Sequence, residues 1–253
     1  MFFFVYFCGM RGISLQHLSI GYGNGKVVAE DLNALAIAGE LICLLGPNGV
    51  GKSTLLKTLA GFLPSLHGSV VMSDGRKLSQ YSRQEQAKEI SIVLTERPDV
   101  RNMTVEEVVG LGRTPYTGFW GTLSADDKEI VKEAIEAMAL TALSGRSFGS
   151  LSDGERQKVM IAKALAQQTS VIILDEPTAF LDYPSKIGMM QVLRVLAHEH
   201  QKSVLLSTHD VELALRFSDT LWLLADGDSL ITGHPDEMRE NKSLAQFLGE
   251  DLL

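Results

Sequence analysis

The apolar positions of this chain change period along its length. From residue 13 to residue 39 they alternate with polar ones (IxLxxLSIGYG, then KVVAEDLNALAIAGE), which predicts half-buried antiparallel strands. Residues 41–45, LICLL, are apolar without interruption. The run is too short for a typical helix and reads as a buried strand. It breaks at Gly46-Pro47-Asn48-Gly49, and helical spacing then appears at Leu55, Leu56, Leu59 and Ala60. Residues 68–72 predict another strand, closed by the turn signal Ser73-Asp74-Gly75. Residues 82–88 are polar and helix-compatible, and residues 90–94 are a further apolar strand.

The pattern changes between about 97 and 148. Thr104 and Glu107 have the spacing of a capping box and open a helix. Residues 112–122 read as a loop rich in Gly, Thr and aromatics, after which Ser124 opens a second helix with Asp126 and Asp127 in its first turn. Three apolar runs at 171–174, 204–206 and 221–224 then alternate with helical patterns at 153–168, 186–199 and 211–217. Strands alternating with helices predict an α/β fold: a mostly parallel sheet, an N-terminal antiparallel β subdomain, and a helical insertion. The whole chain, 1–253, is expected to be one domain, with its helical subdomain at about 97–167. No repeat, low-complexity tract or interdomain linker interrupts it.

Composition narrows the function classes. A chain of 253 residues with 45% hydrophobic and 21% charged positions can bury a large core. A net charge of −8 argues against a general electrostatic grip on nucleic acid, so no nucleic-acid partner is expected. Cys8 and Cys43 have no metal-site spacing, and Cys43 in its apolar strand reads as a free buried thiol suited to a reducing cytosol. The opening MFFFVYFCGMRG is too short to span a bilayer and lacks a basic leader region. A start-site artefact with Met10 as the natural start competes there with a functional segment.

The candidate chemistry starts where the 41–45 strand stops. Gly46-Pro47-Asn48-Gly49-Val50-Gly51-Lys52-Ser53, followed by Thr54, is G-x-x-x-x-G-K-S between a strand and a helix, the context a phosphate-binding loop requires. Its glycines turn backbone N–H groups toward a phosphate, and the helix N-terminus adds a favourable dipole. Lys52 offers a point charge to the β and γ phosphates, and the Ser53 hydroxyl is placed to ligate Mg²⁺. A nucleoside triphosphate with Mg²⁺ is therefore the expected ligand. VIILDEP, residues 171–177, puts Asp175 and Glu176 at the carboxyl end of a strand, where α/β sheets bind ligands. Asp175 suits the metal and Glu176 the attacking water. A solvated acidic turn is the plainer alternative. In LSDGERQ, residues 151–157, Ser152 and Glu155 have capping-box spacing, while Ser152 and Gly154 at a helix start are also ready to hold phosphate. His198 and His200 do not share a helix face and read as solvated.

These marks, in this order, resemble the ATPases of ABC transporters. LSDGERQ looks like their LSGGQ signature upstream of VIILDEP, with Asp153 departing from the usual Gly and expected to point away from the nucleotide. The resemblance implies a RecA-like phosphate-loop core, ATP and Mg²⁺ as the cofactors, and several further roles. Tyr22 resembles the aromatic that stacks on adenine, an exposed turn tyrosine being the alternative. Asp182, in Phe180-Leu181-Asp182, resembles the loop coupling the two sites of a dimer, and His209, in Ser207-Thr208-His209-Asp210, the switch histidine at the γ phosphate. Where the family has a metal-side glutamine this chain has Thr95, followed by Glu96, and both are carried as candidate metal-side residues.

The segment Leu111-Gly112-Arg113-Thr114-Pro115-Tyr116 is similar to the loop of importers for iron–siderophores, haem and vitamin B12. By that resemblance two copies sandwich two ATP molecules, each between one copy's phosphate loop and the other's Ser152–Gly154. Polytopic membrane permease subunits would dock near the insertion, at Tyr116, Phe119 and Trp120, unless those aromatics pack within their own loop. A periplasmic or surface binding protein would act indirectly, and the chain would lie peripherally on the cytoplasmic face of the membrane. A soluble non-transport ABC ATPase, for instance in metal-cluster assembly, and an exporter ATPase are the competing readings.

Overall fold

The structure is a computed structural model describing residues 12–23, 25–95, 100, 102–179, 181–225, 230–240, 244 and 247. Strands β1 (Gly12–Gly21) and β2 (Val27–Ile37) lead into β3 (Leu41–Leu45) and helix α1 (Lys52–Leu59). Then come β4 (His67–Met72), α2 (Arg83–Glu89), β5 (Ile90–Val93), α3 (Val105–Gly110), α4 (Ala125–Ala137) and α5 (Asp153–Ala166). The chain continues through β6 (Val171–Leu174), α6 (Tyr183–His198), β7 (Ser203–Ser207), α7 (Val211–Phe217), β8 (Thr220–Leu224), β9 (Leu230–Gly233) and α8 (Pro235–Glu240).

Two sheets result. The period-two segments form an antiparallel sheet of order β2-β1-β4. The continuous apolar runs form a six-stranded sheet of order β5-β6-β7-β3-β8-β9, parallel except for its last strand. Strand β3 is buried along its full length, and its side chains divide by alternation. Leu41, Cys43 and Leu45 join a core shared with the helical insertion and α6. Ile42 and Leu44 join a second core under α1 and the antiparallel sheet. Burial pushes the Cys43 thiol up to about 12, so it stays a protonated apolar filler.

The capping boxes at Thr104/Glu107 and Ser152/Glu155 form as their spacing predicts, and Ser124 with Asp127 forms a third at the start of α4. Three local expectations change. Residues read as loop from Gly112 onward instead begin inside a 3₁₀ helix, Leu111–Tyr116, that continues α3. Helix α6 begins at Tyr183, ahead of the expected residue 186, because Asp182 caps it and Pro184 falls in its first turn. His198 is not simply solvated: its Nε2 lies 2.8 Å from Asp219 Oδ2, which also accepts the Leu41 N–H at 2.8 Å and so braces the start of β3. Among the described residues no helix is long and apolar enough to cross a membrane.

Candidate active site

The order of the parallel strands assembles the site. Strand β7 lies between β3 and β6, so the carboxyl ends of these three strands are neighbours. The loop leaving β3 carries Gly49 at φ 82° and Gly51 at φ 113°, a region that L side chains avoid. A Cβ on Gly51 would also come within 2.4 Å of Val28 Cγ1. Lys52 is buried, and its Nζ donates to the carbonyls of Gly46 at 2.7 Å and Pro47 at 3.0 Å. Burial lowers its pKa, while Glu176 and Asp175 pull it back up. Ser53 is exposed at the helix start, and Thr54 is buried. The Tyr22 hydroxyl shares a hydrogen bond of 3.1 Å with Thr54 Oγ1, which ties this half-exposed ring to the first turn of α1.

At the end of β6, Asp175 donates its N–H to Val93 O at 2.8 Å and is 6% exposed. Its Oδ1 accepts the Ser207 hydroxyl at 2.7 Å, and the same Ser207 Oγ accepts the Glu176 N–H at 2.9 Å. Glu176 has φ 50°, and its Oε1 lies 2.6 Å from Nε2 of His209. The Thr208 N–H donates to Leu44 O at 3.1 Å, fixing the β7 turn against β3. Lys52, Asp175, Glu176 and His209 thus gather on three adjacent strand ends. Chemically this is a cation, a buried carboxylate, and a second carboxylate touching an imidazole. Ser53 and Asp175 are hard oxygen donors of the kind that, with phosphate oxygens, suit Mg²⁺.

The remaining candidates lie apart from that cluster or bear on it indirectly. The Thr95 hydroxyl donates to the Asp175 carbonyl at 3.1 Å, bracing the β6 turn from β5. Glu96 and Phe180 lie outside the described residues. Hydrogen bonds of Ser152 run to Glu155 at its own helix start, and Asp182 accepts the Ser185 N–H at 3.1 Å as a helix cap. Asp153 pairs with Arg156 Nη1 at 3.3 Å. Gly154 lies against Leu181, whose Cδ2 a Cβ there would meet at 3.0 Å.

The aromatics of the insertion split. Tyr116 packs against the fold rather than standing free: its hydroxyl donates to Gln167 O, at the end of α5, at 3.0 Å, and its ring lies 4.0 Å from the Arg113 guanidinium. Phe119 and Trp120 are 96% and 87% exposed and meet edge to face at 5.4 Å. A groove of about 430 Å³ is lined by Phe62, Ala87, Ile92, Lys163 and Gln167, from the segment after α1, from α2 and β5, and from the α5 end. Sequence reasoning gave no role to Ser207 or to Arg113. The first stood only as the opening residue of the segment that carries His209, and the second served only as part of a resemblance.

Fold and strand-end residues together define a phosphate-loop ATPase. The ABC transporter family profile matches residues 29–179, and the chain belongs to that family. An uncharacterized ABC transporter ATP-binding protein of Methanocaldococcus jannaschii is 44% identical over 91% of this chain and 79% of its own length. The iron(3+)-hydroxamate import ATP-binding protein FhuC of Bacillus subtilis is 37% identical over 96% of this chain and 89% of its own. Among solved structures, the dimeric structure of a bacterial ABC transporter cassette superposes with a TM-score of 0.77 at 27% identity, covering 88% of this chain and 98% of that one.

Proposed function

We propose that this chain is the ATP-hydrolysing subunit of an importer for an iron chelate of the siderophore class, working peripherally at the cytoplasmic face of the membrane through separate permease subunits. Similarity to the iron(3+)-hydroxamate import protein supports the cargo. The observation that carries the catalytic half is the convergence of Lys52, Asp175, Glu176 and His209 on the ends of β3, β6 and β7.

The phosphate loop and Lys52 hold the β and γ phosphates, and Tyr22 lies beside the adenine. Ser53 and Asp175 would hold Mg²⁺, with Thr95 and Glu96 near it. That ion would neutralise charge developing on the phosphates. Glu176 orients and deprotonates the attacking water, and His209 fixes Glu176 while contacting the γ phosphate. Two copies close head to tail, so that Ser152 and Gly154 of one meet the nucleotide of the other, with Asp182 at the seam. ATP favours the closed pair because only there does its γ phosphate contact both halves, and hydrolysis removes that preference. The Phe119–Trp120 pair and the groove beside Phe62 are the surfaces offered to the permease, and a binding protein would deliver the chelate from the other side.

Uptake of radioiron-loaded hydroxamate into vesicles holding the cognate permease tests this reading. ATP-dependent accumulation that stops with Glu176→Gln is expected. Transport of haem or cobalamin but not the iron chelate would contradict the cargo assignment.

A further inference from the structure

Two features of the strand ends are unexplained by the roles above. Glu176 holds a left-handed backbone at φ 50°, which a residue with a Cβ keeps only when its surroundings impose it. Asp175, almost fully buried, has to present a carboxylate in one fixed orientation. A single side chain touches both. Ser207 is wholly buried at the end of β7. The parallel register pairing Leu174 with Leu206 brings Ser207 level with Asp175. Its hydroxyl proton goes to Asp175 Oδ1 at 2.7 Å, and its oxygen accepts the Glu176 N–H at 2.9 Å. A hydroxyl can donate one bond and accept another at once, which a methyl cannot do and a thiol does only weakly.

We propose that Ser207 is a positioning residue that sets the metal-side carboxylate and the catalytic carboxylate with one hydroxyl. With Oδ1 committed to Ser207, Asp175 keeps Oδ2 for a cation. With its N–H committed to the same oxygen, Glu176 is held in the turn that carries its side chain to His209. Groups that orient a metal-side carboxylate in this way usually matter for both metal affinity and rate. The inference rests on the roles proposed for Asp175 and Glu176.

The full chain carrying Ser207→Ala, Ser207→Cys or Ser207→Thr tests it. ATPase rates are read against ATP and against magnesium, ATP binding is read by calorimetry with and without magnesium, and Tm is recorded. Ser207→Ala and Ser207→Cys should each lower kcat and raise the half-saturating magnesium concentration by about 10- to 100-fold. ATP affinity without magnesium, and Tm, should stay near the parent's. Ser207→Thr, which restores the hydroxyl, should recover most of the rate. The isosteric cysteine guards against a packing defect in the alanine variant. Parental turnover and magnesium dependence in Ser207→Cys would overturn the inference. So would a joint fall of kcat, metal-free ATP affinity and Tm, the mark of general loosening. Asp175→Asn and Glu176→Gln run in parallel separate the two layers. If they turn over normally, the underlying roles fail; if they are inactive while Ser207→Cys is parental, only the Ser207 inference fails.

Discussion

At Glu176 a charged side chain sits on a left-handed backbone, a conformation that costs on the order of 1–3 kcal/mol. It is held there by the Ser207 hydroxyl on its N–H and by the Ala179 N–H on its carbonyl at 3.0 Å. That strain places its carboxylate 2.6 Å from His209, a position suited to a base. Glu176→Gln should lower the steady-state hydrolysis rate by roughly 10²–10⁴-fold with nucleotide affinity retained. A variant turning over at near the parental rate would remove Glu176 from the base role. Lys52→Met should instead weaken ATP binding itself, read by calorimetry, and unaltered affinity would contradict the phosphate contact. Most of these residues were legible in the sequence because their spacing is short and local: a glycine loop before Lys-Ser, or two acids after an apolar run. Ser207 was not. Its partners lie on a neighbouring strand, and only the register between β6 and β7 reveals them.

Among the elements, a buried ion pair inside the insertion, Arg113 with Asp127, is bonded on to the end of α5. Arg113 Nε donates to Asp127 Oδ1 at 2.8 Å, and its Nη1 donates to Ala166 O at 2.8 Å and Gln168 Oε1 at 3.0 Å. The clasp joins the start of α4 to the end of α5, and Gln167 Nε2 carries it on to the carbonyls of Ala87 and Ile90. This gives the Gly112-Arg113 sequence a physical reason: a Cβ on Gly112 would come within 2.3 Å of Lys163 O. Asp127→Ala leaves the Arg113 charge buried without its carboxylate and should cost about 3 kcal/mol in urea unfolding. The Ser124 hydroxyl, then Arg113 and the Ser124 N–H, hold the Asp127 carboxyl at about 2, below its ordinary 3.8. Its contribution is therefore complete above pH 3.8 and disappears as pH falls through about 2. The stability gap between parent and Asp127→Asn should narrow over that interval, and a gap independent of pH would contradict the pairing. The capped helices were readable from their boxes. The 3₁₀ turn at 111–116 was not, because the glycine and proline that mark a loop also fit a tight helix packed beneath Arg113. The edge strand β9 gave no pattern either, since only its two ends are half-buried.

For the whole molecule, the sheet order brings the hydrolytic residues together within one chain, while the side chains of Ser152 and Asp182 cap their own helices and Gly154 lies beside Leu181. Those helix starts are where a second copy would complete the site. Phe62 and Trp120 are exposed, and charge placed there should act on permease association alone. Phe62→Asp and Trp120→Asp should reduce copurification with the permease while leaving the isolated ATPase rate within a factor of about two, by the usual mildness of surface changes. Full retention of the complex by both would move the docking surface elsewhere. The α/β architecture itself was legible because continuous apolar runs and period-two runs predict different sheets.

In the proposed cycle each triphosphate is held by two copies of the chain. Sedimentation velocity of Glu176→Gln in saturating ATP and magnesium tests it most directly. A shift from monomer to dimer that requires ATP and is abolished by Ser152→Arg is the predicted result. A species that stays monomeric at every ATP concentration would contradict it.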